Sequence, residues 1–242
     1  MKRGQNKQGF TIVEVLIVIV VVGIIAGVTI IAYNGAQARA EFARAIAEHD
    51  GIESLVAEYA GSHEDAYPTN IDSCPTPNPT DICVPDESGR TLQYFAFGQG
   101  IPARYSAAIH TPVPAYELAV MLPKSFYYYS TAEIASTNEF VQYMDMAPII
   151  NKYGLRKYKI SFDIKSASIA SASSVNVYMQ NGSGARYTFG VSVPVTTSYQ
   201  RKTVTVTPTG PNTSFTQSIL AFYGTYSTGN RPTIRNVEIQ PG

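Results

Sequence analysis

Hydrophobic residues follow two different periods along the chain, one typical of a helix and one typical of strands. Residues 15–32 are all uncharged and mostly apolar. At about 1.5 Å per residue they make a helix of about 27 Å, long enough to cross the hydrocarbon core of a membrane. Beyond this run, side chains suited to burial recur every three or four residues, at Phe42, Ile46, His49, Ile52, Val56 and Tyr59. The pattern predicts one helix over residues 10–60, which Gly51 kinks rather than ends.

From about residue 92 the period changes to two. Apolar and polar side chains alternate from Tyr158 to Lys165. Similar segments occupy residues 175–180, 203–207 and 219–223. In the last segment, 233–240, Ile234 and Val237 are three residues apart, which predicts a β-bulge. Short turn sequences between the segments favour an antiparallel sandwich of the jelly-roll type. The predicted fold class is therefore α+β: a long N-terminal helix followed by an antiparallel β head, whose C-terminal part is a β-sandwich.

The composition narrows the classes of function. Charged residues make up 15% of the chain, and 18 Lys and Arg balance 18 Asp and Glu without forming a basic block. Nucleic acid is therefore not an expected partner. Residues 111–242 contain neither His nor Cys, which excludes Ser-His, Cys-His and His-metal schemes within the β region. Nothing pairs its few acids as glycoside hydrolysis requires. We predict a protein that is not an enzyme and that needs no cofactor.

Both cysteines lie in a segment, residues 67–89, whose Pro, Thr, Asn and Asp are typical of an ordered surface loop. In an exported protein, Cys74 and Cys83 are close enough in sequence to predict a disulfide. A zinc site at the cysteines would need two further ligands, and the whole chain has only three histidines. We therefore predict no metal site.

Three interpretations of the N-terminus remain open. A secretory signal peptide is compatible with the A-x-A-like sites at residues 36–40, but its apolar region would be shorter and would not contain Glu14. An uncleaved membrane anchor explains the length but not the acid. In the third interpretation Glu14 is functional, because an unpaired carboxylate in a membrane costs about 3 kcal/mol or more. A cut between Gly9 and Phe10 would create an α-amino group that pairs with it, worth about 4 kcal/mol before desolvation.

The sequence Gly9-Phe10-Thr11-Ile12-Val13-Glu14, followed by an uncharged run, resembles the N-terminal motif of type IV pilins and related pseudopilins. The resemblance implies that a prepilin peptidase removes a basic leader after Gly9 and that the new N-terminal Phe10 is methylated. It also implies that Glu14 guides copies of the chain into a helical filament.

The sequence patterns and this resemblance together predict a domain organisation, and the resemblance implies a location. The expected regions are the leader at 1–9, the long helix at 10–60, a disulfide-closed loop with a small pilin-type β region at 61–125, and the β-sandwich at 126–242. The chain would reside in the cytoplasm and inner membrane before assembly and on an extracellular pilus afterwards. A pseudopilin of a type II-like secretion system shares the motif and is the alternative.

The kinking proline common in this family would fall at about Ile31 and is absent here. Two interpretations of the nearby glycines stay open. Gly23 and Gly27 either weaken the helix, by about 1 kcal/mol each, or form a G-x-x-x-G packing face.

Residues from about 126 to the end also resemble a jelly-roll carbohydrate-binding module in the order of their strands. The resemblance implies that one concave sheet binds surface carbohydrate, with aromatic rings stacking on sugar rings and amides bonding hydroxyls. The candidate residues are Tyr178, Gln180, Asn181, Tyr187, Tyr223 and Tyr226. The acidic pair that holds a structural calcium in many such modules is not matched around Asn236.

Two alternatives to glycan display on a pilus remain. A tyrosine-rich sheet is also suited to packing against neighbouring subunits. A membrane-anchored sugar-binding protein that never polymerises would carry the same β domain.

Overall fold

The computed structural model describes residues 11–97, 115–135, 140–167, 174–179, 187–210, 218–224 and 229–242. The chain divides into two compact units between Ala40 and Glu41. The helix α1 spans Ile12–Ser62 and does not end at Gly51. A single helix was predicted over residues 10–60, and the structure confirms it for the residues it describes.

The first unit consists of the apolar part of α1. Val and Ile dominate it, and these β-branched residues are mediocre helix formers in water. In a membrane, however, a helix is favoured because it satisfies every backbone hydrogen bond within the segment. The Thr29 hydroxyl is also satisfied within the segment, because it donates to the carbonyl oxygen of Ile25. The sequence of this segment is therefore suited to a helix in lipid rather than in water.

The second unit contains two helical segments and eleven strands. The remainder of α1 is followed by β1 Thr91–Phe97, β2 Ala115–Met121, β3 Phe126–Ser130, β4 Ile134–Ala135, β5 Phe140–Asp145, the short helix α2 Ala147–Tyr153, β6 Tyr158–Ser166, β7 Ser174–Met179, β8 Gly190–Pro194, β9 Gln200–Val206, β10 Ile219–Tyr223 and β11 Pro232–Pro241. These counts refer to the described ranges alone. All strand pairs between these elements are antiparallel.

The strands form two sheets. The larger has the order β1-β2-β3-β11-β6-β9, with β4 also paired to β11, and the smaller has the order β5-β10-β7-β8. Strands β4 to β11 therefore give four-stranded layers of order 4-11-6-9 and 5-10-7-8, which is the strand order of a jelly roll. The predicted sandwich is confirmed. Because β2 pairs with β3, the sheet continues across residue 125, where we expected two regions to meet.

The core of the sandwich lies between the two sheets. From β6, the predicted apolar face of Tyr158, Ile160, Phe162 and Ile164 is fully buried. The ring of Phe162 packs edge-on against Phe222 of β10, with centroids 5.0 Å apart. In β11 the register shifts between Arg235 and Glu238, and Asn236 has a φ of 51°. This confirms the predicted bulge.

Strand β2 separates two hydrophobic cores and is buried along its whole length. Leu118 and Val120 face the second half of α1 and pack with Ile52 and Val56. Ala119 and Met121 face the sandwich core. Successive side chains of a strand point to opposite faces. One face of β2 therefore packs on the helix and the other on the sandwich core, so that β2 connects the two.

The loop between α1 and β1 is closed by the disulfide Cys74–Cys83. Inside it, the Asp81 carboxylate accepts hydrogen bonds from the hydroxyls of Thr69 and Ser73, at 2.5 and 2.9 Å. Ile71 at one end and Val84 at the other are buried against α1 and β2. The loop is thus anchored to the helix by apolar contacts at both ends and closed by the disulfide between them.

Replacing Cys74 and Cys83 with serine is expected to lower the free energy of unfolding by about 2–3 kcal/mol, because the open loop gains conformational entropy in the unfolded chain. Urea denaturation of the oxidised protein and of the double variant measures the difference. A reducing agent should destabilise the parent alone. Equal stability of parent and variant would contradict the expectation.

Candidate functional site

The helix α1 begins with a reciprocal pair of hydrogen bonds. The backbone N–H of Thr11 donates to Glu14 Oε2 at 2.8 Å, and the N–H of Glu14 donates to Thr11 Oγ1 at 3.2 Å. The Thr11 hydroxyl also donates to Glu14 Oε2, at 2.9 Å. This is a capping box, the Ser/Thr-x-x-Glu arrangement that satisfies N–H groups at a helix start. Glu14 thus has a local role in addition to the predicted one, while Gly9 and Phe10 lie outside the described residues.

The apolar half of α1 has an uncovered surface. Every side chain described between residues 11 and 36 is exposed, including large ones such as Ile24, Ile25 and Val28. The helix is long and apolar enough to cross a membrane, judged by length and composition. A continuous apolar surface of this size is unstable in water. It requires either lipid or other apolar helices around it.

The glycines of this segment lie within continuous helix. Both positions are exposed, and a Cβ added at Gly23 or Gly27 would meet nothing within 4 Å. The subunit itself therefore has room for larger residues at both positions, and any constraint on them comes from neighbours in the membrane or in an assembly.

A second candidate site lies on the outward face of the sheet β5-β10-β7-β8. Tyr178 of β7 is paired with Gly190 of β8 and with Ala221 of β10, while Tyr223 is paired with Asn176 and Phe140. The Phe140 ring lies 6.4 Å from both tyrosine rings, measured between centroids. The register therefore collects three aromatic side chains on one face of the sheet.

Two of these aromatics, Tyr178 and Tyr223, line an open cavity of about 500 Å³, which we call the sheet cavity. Its lining residues are Asn176, Tyr178, Met179, Phe189, Gly190, Val191, Ser192 and Tyr223. Gly190 leaves space beside Tyr178, because a Cβ there would lie 3.9 Å from the Tyr178 Cβ. Burial, and then the neighbouring Tyr223, raise the pKa of the Tyr178 hydroxyl, so it stays protonated at neutral pH. The cavity offers aromatic faces together with amide and hydroxyl groups.

The structure brings together some of the predicted ligand residues and separates one. Tyr178 and Tyr223 share the sheet cavity. Tyr187 leaves the candidate set as a correction, because it is buried and its hydroxyl donates to Asn151 Oδ1 at 2.6 Å. Gln180, Asn181 and Tyr226 lie outside the described residues.

Asn176, Ser192 and Phe140 also lie on this face and were not predicted from the sequence. Asn176 was detectable, since it precedes Tyr178 by two residues in an alternating strand and must share its face. Ser192 and Phe140 come to this face only through strand pairing, which the sequence alone did not supply.

Comparison with known proteins identifies the first segment. Residues 4–30 match the prokaryotic N-terminal methylation motif. A fimbrial protein of Neisseria meningitidis is 41% identical over 76 residues, which cover 31% of this chain and 44% of that protein. A type IV major pilin protein of Neisseria gonorrhoeae is 35% identical over 97 residues, 39% of this chain and 42% of that protein. The resemblance to type IV pilins is thereby confirmed, although the chain spans less than half the length of these relatives.

Solved structures similar to the chain include carbohydrate-binding modules. A family 11 module from Clostridium thermocellum, in complex with a mixed-linked tetrasaccharide, shares 17% identity. The match covers 64% of this chain and 89% of the module, with a TM-score of 0.27. A second match, to a module of BiXyn10A, covers 48% of this chain and 74% of that module at 12% identity, with a TM-score of 0.31. At such scores the jelly-roll assignment rests on the strand order described above.

Proposed function

We propose that the chain is a structural, non-enzymatic subunit of a type IV pilus. The observation that carries the proposal is the methylation motif at residues 4–30, which runs into a helix whose described side chains between residues 11 and 36 are all exposed. Membrane lipid covers this surface first, and the helices of other copies cover it after assembly. The β head is then displayed on an extracellular filament.

Processing is the first step of this proposal. A prepilin peptidase removes residues 1–9 after Gly9, and the new N-terminal Phe10 is methylated. Mass spectrometry of the native protein tests this directly and is expected to find a mature chain that starts at N-methylated Phe10. A start at Met1, Arg39 or Glu41 would instead indicate an anchor or a secreted domain. A Gly9→Ala variant should remain uncleaved, which links processing to that residue.

Assembly distinguishes a pilus from its alternatives. Electron microscopy of sheared surface material should show long extracellular fibres that contain this chain. A pseudopilin would form only short periplasmic structures, and a membrane-anchored sugar-binding protein would form no fibres. Either result would exclude the pilus.

Gly27 offers a test of how the helices pack. We expect Gly27→Leu to lower filament yield, because Gly27 is exposed in its own subunit and a larger side chain there would obstruct a neighbouring helix. Gly27→Ala separates the two roles of the glycines. It leaves a close packing face nearly intact but stabilises the helix by about 1 kcal/mol. Filaments are measured by microscopy and by quantifying sheared protein. If the Ala variant forms normal filaments, the glycines serve helix packing; if it forms fewer, they serve local melting of the helix.

We further propose that the sheet cavity binds surface carbohydrate and gives the filament an adhesive function. Support comes from the rings of Tyr178 and Tyr223, the Asn176 amide and the Ser192 hydroxyl, which line an open space of about 500 Å³. The Phe140 ring lies beside both tyrosines. Aromatic faces with a few directed polar groups are typical of small-ligand sites. A glycan array probed with the full-length chain in detergent tests the idea, and silence across the array counts against it.

A further inference from the structure

The second half of α1 contains a buried histidine that neither proposed function uses. His49 is 1% exposed. Its ring packs edge-on against Tyr127 and Tyr129 of β3, with centroids 4.9 and 5.9 Å apart. Among the residues that the structure describes, neither Nδ1 nor Nε2 has a hydrogen-bond partner. A buried polar group left unpaired costs about 1–3 kcal/mol, so a ligand that pairs with a ring nitrogen would stabilise the protein.

Two carboxylates of the same helix face the ring. His49 Nδ1 lies 3.7 Å from Asp50 Oδ1 and 3.8 Å from Glu53 Oε2. These separations are too long for hydrogen bonds. They are close to the spacing of two ligands on one ion, since donors about 2.0–2.2 Å from a tetrahedral zinc lie about 3.3–3.6 Å apart. The three donor atoms all lie within 4.8 Å of one another.

We propose that His49, Asp50 and Glu53 bind one divalent transition-metal ion of the Zn²⁺ class. An imidazole nitrogen with two carboxylate oxygens is a donor set that suits Zn²⁺. Ca²⁺ is disfavoured because it takes oxygen ligands throughout. Three protein ligands leave a fourth position for water, and the Asp50 side chain, 67% exposed, places the cluster at the edge of solvent.

The neighbours of the cluster support metal binding. The Tyr116 hydroxyl donates to Glu53 Oε1 at 2.6 Å, which orients the carboxylate and leaves Oε2 toward His49. Such outer hydrogen bonds fix the geometry of metal ligands. Within the described part of the chain, no Lys or Arg forms an ion pair with Asp50 or Glu53, so no fixed cation occupies the place of the ion.

The sequence contains this set as His49-Asp50-Gly51-Ile52-Glu53. Residues four apart on a helix are neighbours, so His49 and Glu53 share a face. The expectation of no metal site was argued at the cysteines, near Asn236 and for residues 111–242, and did not take this set into account.

The test uses the full-length chain in detergent, treated with a chelator and dialysed. Titration calorimetry with Zn²⁺ is expected to show one saturable site per chain, and Co²⁺ should give a visible absorption band that Zn²⁺ abolishes. His49→Gln and Glu53→Gln should each weaken Zn²⁺ binding at least about tenfold. Tyr116→Phe, which loses only the orienting hydrogen bond, should weaken it by about 10–100-fold.

Controls come from the other histidines of the chain. A double variant, His63→Gln with His110→Gln, is expected to bind Zn²⁺ as the parent does. Circular dichroism shows whether each variant is folded. If His49→Gln does not fold, Glu53→Gln and Asp50→Asn decide the question, because both carboxylates are partly exposed and amides replace them with little change of shape.

Three results would overturn the proposal: no saturable Zn²⁺ binding by the parent, unchanged affinity in the folded ligand variants, or loss of binding in the double histidine control. The measurement is independent of filament formation and of sugar binding. The zinc-binding result is therefore unaffected if the chain forms no filaments or binds no sugar.

Discussion

Glu14→Ala is expected to abolish filaments while leaving the protein in the membrane. The carboxylate lies in the first turn of a helix whose next residues are apolar and exposed, so within an assembly it is surrounded by neighbouring helices. There, only a correctly staggered subunit presents its N-terminal amine to the acid. A pair of this kind is worth about 4 kcal/mol before desolvation, and each 1.4 kcal/mol is tenfold in an equilibrium. We therefore expect at least about a tenfold loss of sheared fibres, with unchanged amounts in membrane fractions.

The capping box provides a matched pair of controls, because Glu14 has both a charge and a local hydrogen-bonding role. Glu14→Gln keeps an oxygen that accepts from the Thr11 N–H, since Gln also serves at this position of the motif, but it removes the charge. Thr11→Ala keeps the charge and removes the capping hydroxyl, at a cost of about 0.5–2 kcal/mol. If charge pairing drives assembly, the Gln variant fails and the Ala variant assembles. The reverse result would assign Glu14 to helix capping alone.

The sequence allowed much of the fold to be predicted, because its periods match the faces that are buried. The strand at 158–165 alternates because its apolar face meets the core. On its polar face Lys159 is exposed, Asp163 and Lys165 are half-buried, and the small Ser161 is buried. Strand β2 shows no alternation, because the helix covers one face and the sandwich covers the other. Helix α2 has only seven residues, too few for a helical period to emerge.

The residues predicted for the candidate sites and those that the structure places there differ in part, and the differences have physical causes. Tyr178 and Tyr223 were named from the sequence, but their proximity depends on strand order, which alternation does not determine. Tyr187 was included as an aromatic ring of the concave sheet, yet a tyrosine is also accommodated in a core when its hydroxyl finds a partner, here Asn151. His49 was placed on the buried stripe of the helix, but its two carboxylate neighbours became meaningful only through the measured distances.

Loss of sugar binding in Tyr178→Ala is the second large effect that we expect. Its ring borders the sheet cavity and lies beside Phe140, so truncation removes the central stacking surface. Removing an aromatic anchor of this kind typically costs about 2 kcal/mol or more, which corresponds to about thirtyfold in affinity. The measurement is the titration of the strongest glycan from the array into the full-length chain. Tyr178→Phe keeps the ring and should retain most of the affinity.

Gly190→Leu tests the cavity itself without removing any aromatic or polar group. A Cβ at this position is at ordinary contact distance from Tyr178, so the variant should fold, while the rest of the leucine side chain fills space that a sugar would occupy. Lys159→Ala, on an exposed position of the other sheet, is the matched control and should bind as the parent does. If Tyr178→Ala and Gly190→Leu both bind normally, the glycan lies elsewhere. The aromatic face then serves contacts between subunits, and the same two variants should lower filament yield instead.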